Sequence, residues 1–188
     1  MLPAPRFGNT RAWVRLTPHV TTPQAPDASG FDAFAQAFRR HAAGVAIVTA
    51  LTPEGRPVGF TATSLASLAA TPPLATFNMA RTASSWPAIE NTEYVAIHIL
   101  GERALGVAQI MSGDNARRFD GDHWEAGPFG LPIITDATAW LVGRIVARTP
   151  VADNAMIAVQ IVEGALGEPD QPLTYHERAY RALGAALR

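Results

Sequence analysis

Between residues 45 and 166 the chain is a succession of short apolar segments broken by proline, glycine and polar pairs, with only brief helical stretches between them. Such segments suit strands, because short runs rich in β-branched and aromatic residues fit a pleated surface and are too short to sustain a buried helix. VAIVTAL at 45–51 and RPVGFTATSL at 56–65 flank the turn TPEG, which predicts a hairpin. A further strand is predicted from Leu74 to about Met79, after the tandem proline at 72–73 breaks the ladder. YVAIHIL, WLVGRIVARTPV and AMIAVQIVEGAL add three more. The predicted fold is therefore mainly β, an antiparallel Greek-key barrel with a few flanking helices.

The helical signals are local. FDAFAQAFRRHA puts Phe31, Phe34 and Phe38 on one helix face, read as core packing, with Asp32 favouring the helix start. SSWPAIENTEY predicts a short helix capped by Ser84 or Ser85, with Pro87 near its first turn. GERALGVAQIMSG predicts another, ending where Gly113 would supply a left-handed cap. DGDHWEAGPFGLPIITDA reads as a long irregular connection. Residues 1–30, with prolines at 3, 5, 18, 23 and 26, read as a poorly packed arm before a single domain over 31–188.

Composition closes several classes of function. The formal charge is −1, and the only adjacent basic pairs are Arg39-Arg40 and Arg117-Arg118, which is no footprint for a phosphodiester backbone, so a nucleic-acid partner is not expected. With no cysteine the chain makes neither disulfides nor thiolate metal sites, and His19, His41 and His123 lack ligand spacing, so no metal site is expected. The longest uncharged apolar run, AAGVAIVTAL at 42–51, is too short to span a bilayer, and the first residues lack a secretory apolar region. A cytoplasmic protein without a membrane partner is expected.

One window stands apart. Between Pro57 and Ile89 the only ionisable side chain is Arg81, yet nine hydroxyl residues fall there: Thr61, Thr63, Ser64, Ser67, Thr71, Thr76, Thr82, Ser84 and Ser85. On a strand Thr61, Thr63 and Leu65 point one way and Phe60, Ala62 and Ser64 the other. Threonine also recurs in strands simply because it suits the pleat. The continuation RTASSWP adds a cation and two serines where a helix begins, which is the make-up of a phosphate site. Hydroxyls for the edges of a flat ring and an anion site for its tail describe a phosphorylated aromatic cofactor.

The runs RPVGFTATSLASLAATPPLATFNMARTASSWPAI, YVAIHIL, RRFDGDHWEAGPFGLPII and PLTYHERAY, taken in that order over residues 31–183, resemble the short-chain flavin reductase family. These are FMN-binding split-barrel NAD(P)H:flavin oxidoreductases that serve two-component monooxygenases. The resemblance implies a six-stranded antiparallel split barrel, a homodimer, a separate monooxygenase partner, FMN or FAD as cofactor, and NADH or NADPH as hydride donor. By position it implies that Val58, Thr61, Thr63, Ser64, Asn78 and Met79 line the flavin ring and ribityl chain, with Arg81, Ser84 and Ser85 near the phosphate. Family members carry Gly-Asp-His before the penultimate strand, its histidine associated with the nicotinamide; here that place reads Ala152-Asp153-Asn154, so Asn154 takes the position, joined by His176 of TYHERAY. The literal Gly-Asp-His at 121–123 falls in the wrong segment, and His98 in YVAIHIL reads as an embedded histidine with a backbone partner.

No acid–base pair or triad is found, and none is required, since hydride transfer between nicotinamide and flavin belongs to the cofactors. An oxidoreductase that holds its flavin tightly and acts on a small organic substrate, or a non-catalytic flavin- or haem-binding barrel, are the alternative readings.

Overall fold

A computed structural model describes residues 27–186, so most of the expected N-terminal arm lies outside the described residues. The elements in chain order are α1 (Ala28–Arg40), β1 (Ala43–Gly44), β2 (Ala46–Leu51), β3 (Pro57–Ala62), β4 (Ala66–Ala70), β5 (Pro73–Ala80), α2 (Trp86–Asn91) and β6 (Tyr94–Leu100). They continue with α3 (Leu105–Ser112), β7 (Trp124–Ala126), β8 (Pro132–Ile134), β9 (Ala137–Val151), β10 (Asn154–Leu166), β11 (Leu173–His176) and β12 (Ala179–Ala182).

Seven strands form one antiparallel sheet in the order β3-β2-β6-β9-β10-β5-β4. The two edge strands, β3 and β4, are consecutive in sequence and joined only by Thr63, Ser64 and Leu65. Laid flat, the edges of a seven-stranded sheet stand about 29 Å apart at the usual strand spacing. A three-residue link reaches only about 14 Å fully extended. The sheet therefore has to curl until its edges meet, and the product is an antiparallel split barrel. The seam is bridged by a side chain: Ser64 Oγ accepts from the Asn78 N–H at 2.9 Å and donates to the Asn78 carbonyl at 3.2 Å. The sheet has seven strands rather than the six implied above, because β4 adds to β5 as a hairpin.

The central strands are covered on both faces. Val48, Phe77, Val95, Ile97, Ile157 and Val159 fill the barrel, closed at one end by Trp86 and Ile89 of α2. Val45, Ile47, Leu100, Val107, Met111 and Leu173 form a second cluster outside it, beneath α3 and the β11–β12 hairpin. Arg148 fixes α2 by donating to the carbonyls of Ile89, at 2.9 Å, and Thr92. Thr49 reaches from β2 to the Pro132 carbonyl at 2.6 Å, which holds the β7–β8 ribbon against the sheet.

Several local expectations change. Phe31, Phe34 and Phe38 do share a helix face, but they are 61%, 62% and 63% exposed, and no residue of α1 is buried. Periodicity sets which residues share a face, not whether the chain covers it. α1 begins at Ala28, capped by Asp27, whose carboxylate accepts from the Gly30 N–H at 2.7 Å; Asp32 lies within the helix. α2 follows Ser85 as expected, yet the Ser85 hydroxyl makes no cap bond. Gly113 ends α3 with φ −87°, not in the left-handed region. The long connection after residue 120 contains the two-stranded β7–β8 ribbon.

Candidate active site

The cavity that best fits the sequence pattern, about 400 Å³, lies in the seam where β3 and the Thr63–Leu65 link face the end of β5 and the start of α2. Seven of the nine predicted flavin residues line it: Thr61, Thr63, Ser64, Asn78, Met79, Ser84 and Ser85. Three of the hydroxyls already donate to backbone. Ser64 bonds Asn78 as described, Thr61 donates to the Ala108 carbonyl at 3.3 Å, and Ser85, only 3% exposed, donates to the Gly59 carbonyl at 3.1 Å. A hydroxyl that donates still offers lone pairs. The side chains of Thr63, Ser84 and Asn78 make no hydrogen bond among the described residues, and all three residues are exposed at the cavity.

The remaining predicted residues sit around this centre. Val58 lines an adjoining cavity of about 510 Å³, which shares Ser84 with the first. Arg81 lies outside the walls of both. Its amide donates to the Asp153 carbonyl at 2.8 Å, and its guanidinium stands 5.9 Å over the Trp86 ring. Asn154 is exposed at the start of β10, paired with Ala80. His176 is half-buried at the end of β11, next to Tyr175. Neither Asn154 nor His176 lines the seam cavity. Tyr175 lines a third cavity, of about 300 Å³, which shares Thr61 and Thr63 with it. The three spaces form a chain of neighbours along β3 and the link that follows it.

The residue that sequence reasoning missed is Arg118, among the described residues the only cationic side chain in the wall of the seam cavity. It donates to the Gly59 carbonyl at 2.7 Å, to Ser85 Oγ at 3.5 Å and to the Gly113 carbonyl at 3.1 Å, while its Nε–H is buried with no acceptor among the described residues. Burial lowers its pKa from the ordinary arginine value, with Asp114 opposing the shift. The run RRFDGDHW contains it, but its main partner lies 59 residues away, so sequence reasoning assigned the arginine no role of its own. The rest of that run holds Arg118 in place. His123 contacts the Arg118 carbonyl through Nε2 at 2.8 Å, and Trp124 donates to the Phe119 carbonyl at 3.1 Å. The literal Gly-Asp-His thus anchors a loop. Gly59 permits the close approach, since a Cβ there would stand 3.1 Å from the Phe119 ring.

The donor set suits a flavin. Neutral hydroxyl and amide groups surround the cavity, one half-buried arginine supplies charge, and the volume is within the ordinary range for a cofactor pocket. His98, by contrast, is 0% exposed, and its Nδ1 pairs with the Ile47 carbonyl at 3.1 Å inside the sheet, away from this cavity.

Comparison with known proteins agrees with the geometry. Residues 38–184 match the flavin reductase like domain. An NADH:FMN oxidoreductase of Rhodococcus qingshengii is 35% identical over 174 residues, covering 85% of this chain and 90% of the relative. An FMN reductase (NADH) of Agrobacterium fabrum is 32% identical, covering 82% of this chain and 87% of the relative. The crystal structure of a flavin reductase domain protein from Arthrobacter sp. FB24 superposes with a TM-score of 0.80 at 47% identity, over 84% of this chain and 98% of that one. The chain belongs to the flavin reductase family.

Proposed function

We infer that the protein is an NAD(P)H:flavin oxidoreductase that reduces FMN or FAD and releases it to a separate oxygenase. The seam cavity carries this reading, because it gathers hydrogen-bonding groups suited to a ring edge and one half-buried cation at a single place. Thr63, Ser84 and Asn78 bind the polar edge of the ring and its ribityl chain, while Met79 and Phe60 supply apolar wall. Arg118 neutralises anionic charge at the cavity, and Arg81, stacked on Trp86 nearby, adds a second cation for the phosphate. Asn154 and His176 bind the nicotinamide side.

Bound flavin supplies the acceptor for the hydride of nicotinamide C4. The chain's own contribution is placement: it holds two rings at contact distance and excludes water between them, and no side chain has to exchange a proton at that step. Most of the contacts are modest neutral hydrogen bonds, each contributing about 1 kcal/mol. The flavin is therefore exchangeable and acts as a substrate, which is what delivery to a partner requires.

We further propose a homodimer. Leu68, Val146, Met156 and Val162 lie exposed on β4, β9 and β10, and covering these apolar side chains supports association of two copies.

Steady-state oxidation of NADH and NADPH with FMN, FAD and riboflavin as varied acceptors tests the assignment. Added flavin nucleotide accelerates nicotinamide oxidation; absence of acceleration with both FMN and FAD would refute it.

A further inference from the structure

The β11–β12 hairpin reverses in two residues, Glu177 and Arg178, because His176 pairs directly with Ala179. Both have positive φ, 50° and 63°. A two-residue turn with both central positions left-handed is the place for Asn-Gly, and side chains bearing a Cβ are strained there. The hairpin's bonding does not account for an arginine. The Glu177 amide donates to the Arg39 carbonyl at 3.1 Å, a bond any residue but proline makes. The Arg178 side chain has no ion pair or hydrogen bond among the described residues.

Arg178 lines the 300 Å³ cavity together with Thr61, Thr63, Ser112, Tyr175 and Tyr180. Among the described residues no acidic side chain lies in that wall, so the cavity presents one guanidinium and several hydroxyls. The rings of Tyr175 and Tyr180 meet edge to face at 5.3 Å and form its aromatic side. Thr61 and Thr63 also wall the seam cavity, so a ligand here adjoins one bound there. A strained residue whose charge is otherwise unused, facing a cavity that touches the cofactor site, marks function rather than folding.

We propose that Arg178 binds a phosphate of the nicotinamide dinucleotide and thereby seats the hydride donor beside the flavin. The seam cavity already contains its own cation, Arg118, and the reaction needs a second nucleotide in the adjoining space. This rests on the flavin reductase reading. The shared chemistry is a nucleotide phosphate, and the experiment separates the nicotinamide nucleotide from the flavin.

Arg178→Gly removes the charge and gives the turn the residue it favours. The expected result is a Tm equal to or above that of the parent, a KM for NADH raised about tenfold, and little change in kcat or in the KM for FMN. Arg178→Lys retains most of the parent's KM for NADH. An unchanged KM for NADH in Arg178→Gly overturns the proposal, and so does a rise confined to the KM for FMN, which would reassign the arginine to the flavin phosphate. Failure of the parent protein to oxidise NADH with FMN overturns the enzyme reading itself, a result visible before any variant is made.

Discussion

His98 lies where β6 pairs with Ile47 of β2 on one side and Trp140 of β9 on the other. Its second ring nitrogen is buried without a partner among the described residues, and desolvation pushes its pKa down to about 4 despite the bond to Ile47. In the unfolded chain the same imidazole titrates at its ordinary value of 6.5. Below that pH the unfolded state gains a proton that the folded state refuses, so stability is complete above about 6.5 and declines as pH falls towards 4. The full difference is roughly 3 kcal/mol, of which roughly 2 kcal/mol is lost by pH ~5. Urea unfolding of the parent and of His98→Gln tests this: the gap between their pH profiles narrows by that amount from pH ~7 to ~5. Parallel profiles would show that the histidine does not titrate on unfolding. The sequence shows that a histidine lies in an apolar strand, which is enough to predict a backbone partner. It does not show Arg118, because that residue acquires its role from a carbonyl 59 positions away and from burial.

Among the elements, the link between β3 and β4 has the most to do. Ser64 is its middle residue and the only side chain of the link with hydrogen bonds across the seam among the described residues. Ser64→Ala removes both bonds and leaves the Asn78 amide without that partner. The expected cost is about 1–2 kcal/mol in urea unfolding, accompanied by weaker flavin binding in a fluorescence titration. Loss of stability without loss of binding would mean that the seam and the cofactor are independent. Strands were legible because alternation and turn chemistry act over a few residues: β2, β5, β6, β9 and β10 fall close to where predicted, whereas the return strand read through Leu65 stops at Ala62, where the link begins. What escaped depends on distant surroundings. The α1 phenylalanines have no covering surface within the described chain. Ser85 turns from its helix to the Gly59 carbonyl because the seam brings β3 within reach.

At the scale of the whole molecule, the exposed apolar residues of β4, β9 and β10 are the observation from which a dimer is proposed. Val162→Lys places a charge in that surface while the inward-facing residues of β10 stay as they are. Sedimentation of the parent is expected to give twice the chain mass, and of the variant the chain mass alone; a parent that sediments as one chain would remove the dimer. The barrel itself was legible at this scale, since consecutive short strands with tight connections leave few arrangements. The position of its opening was not, because it follows from which strands become edges. That opening has an engineering consequence. Three residues both fasten the cylinder shut and place Thr63 and Ser64 in the wall of the seam cavity. An insertion there would slacken the scaffold and reshape that cavity together, so the loop's length cannot be changed without also altering the frame that carries it.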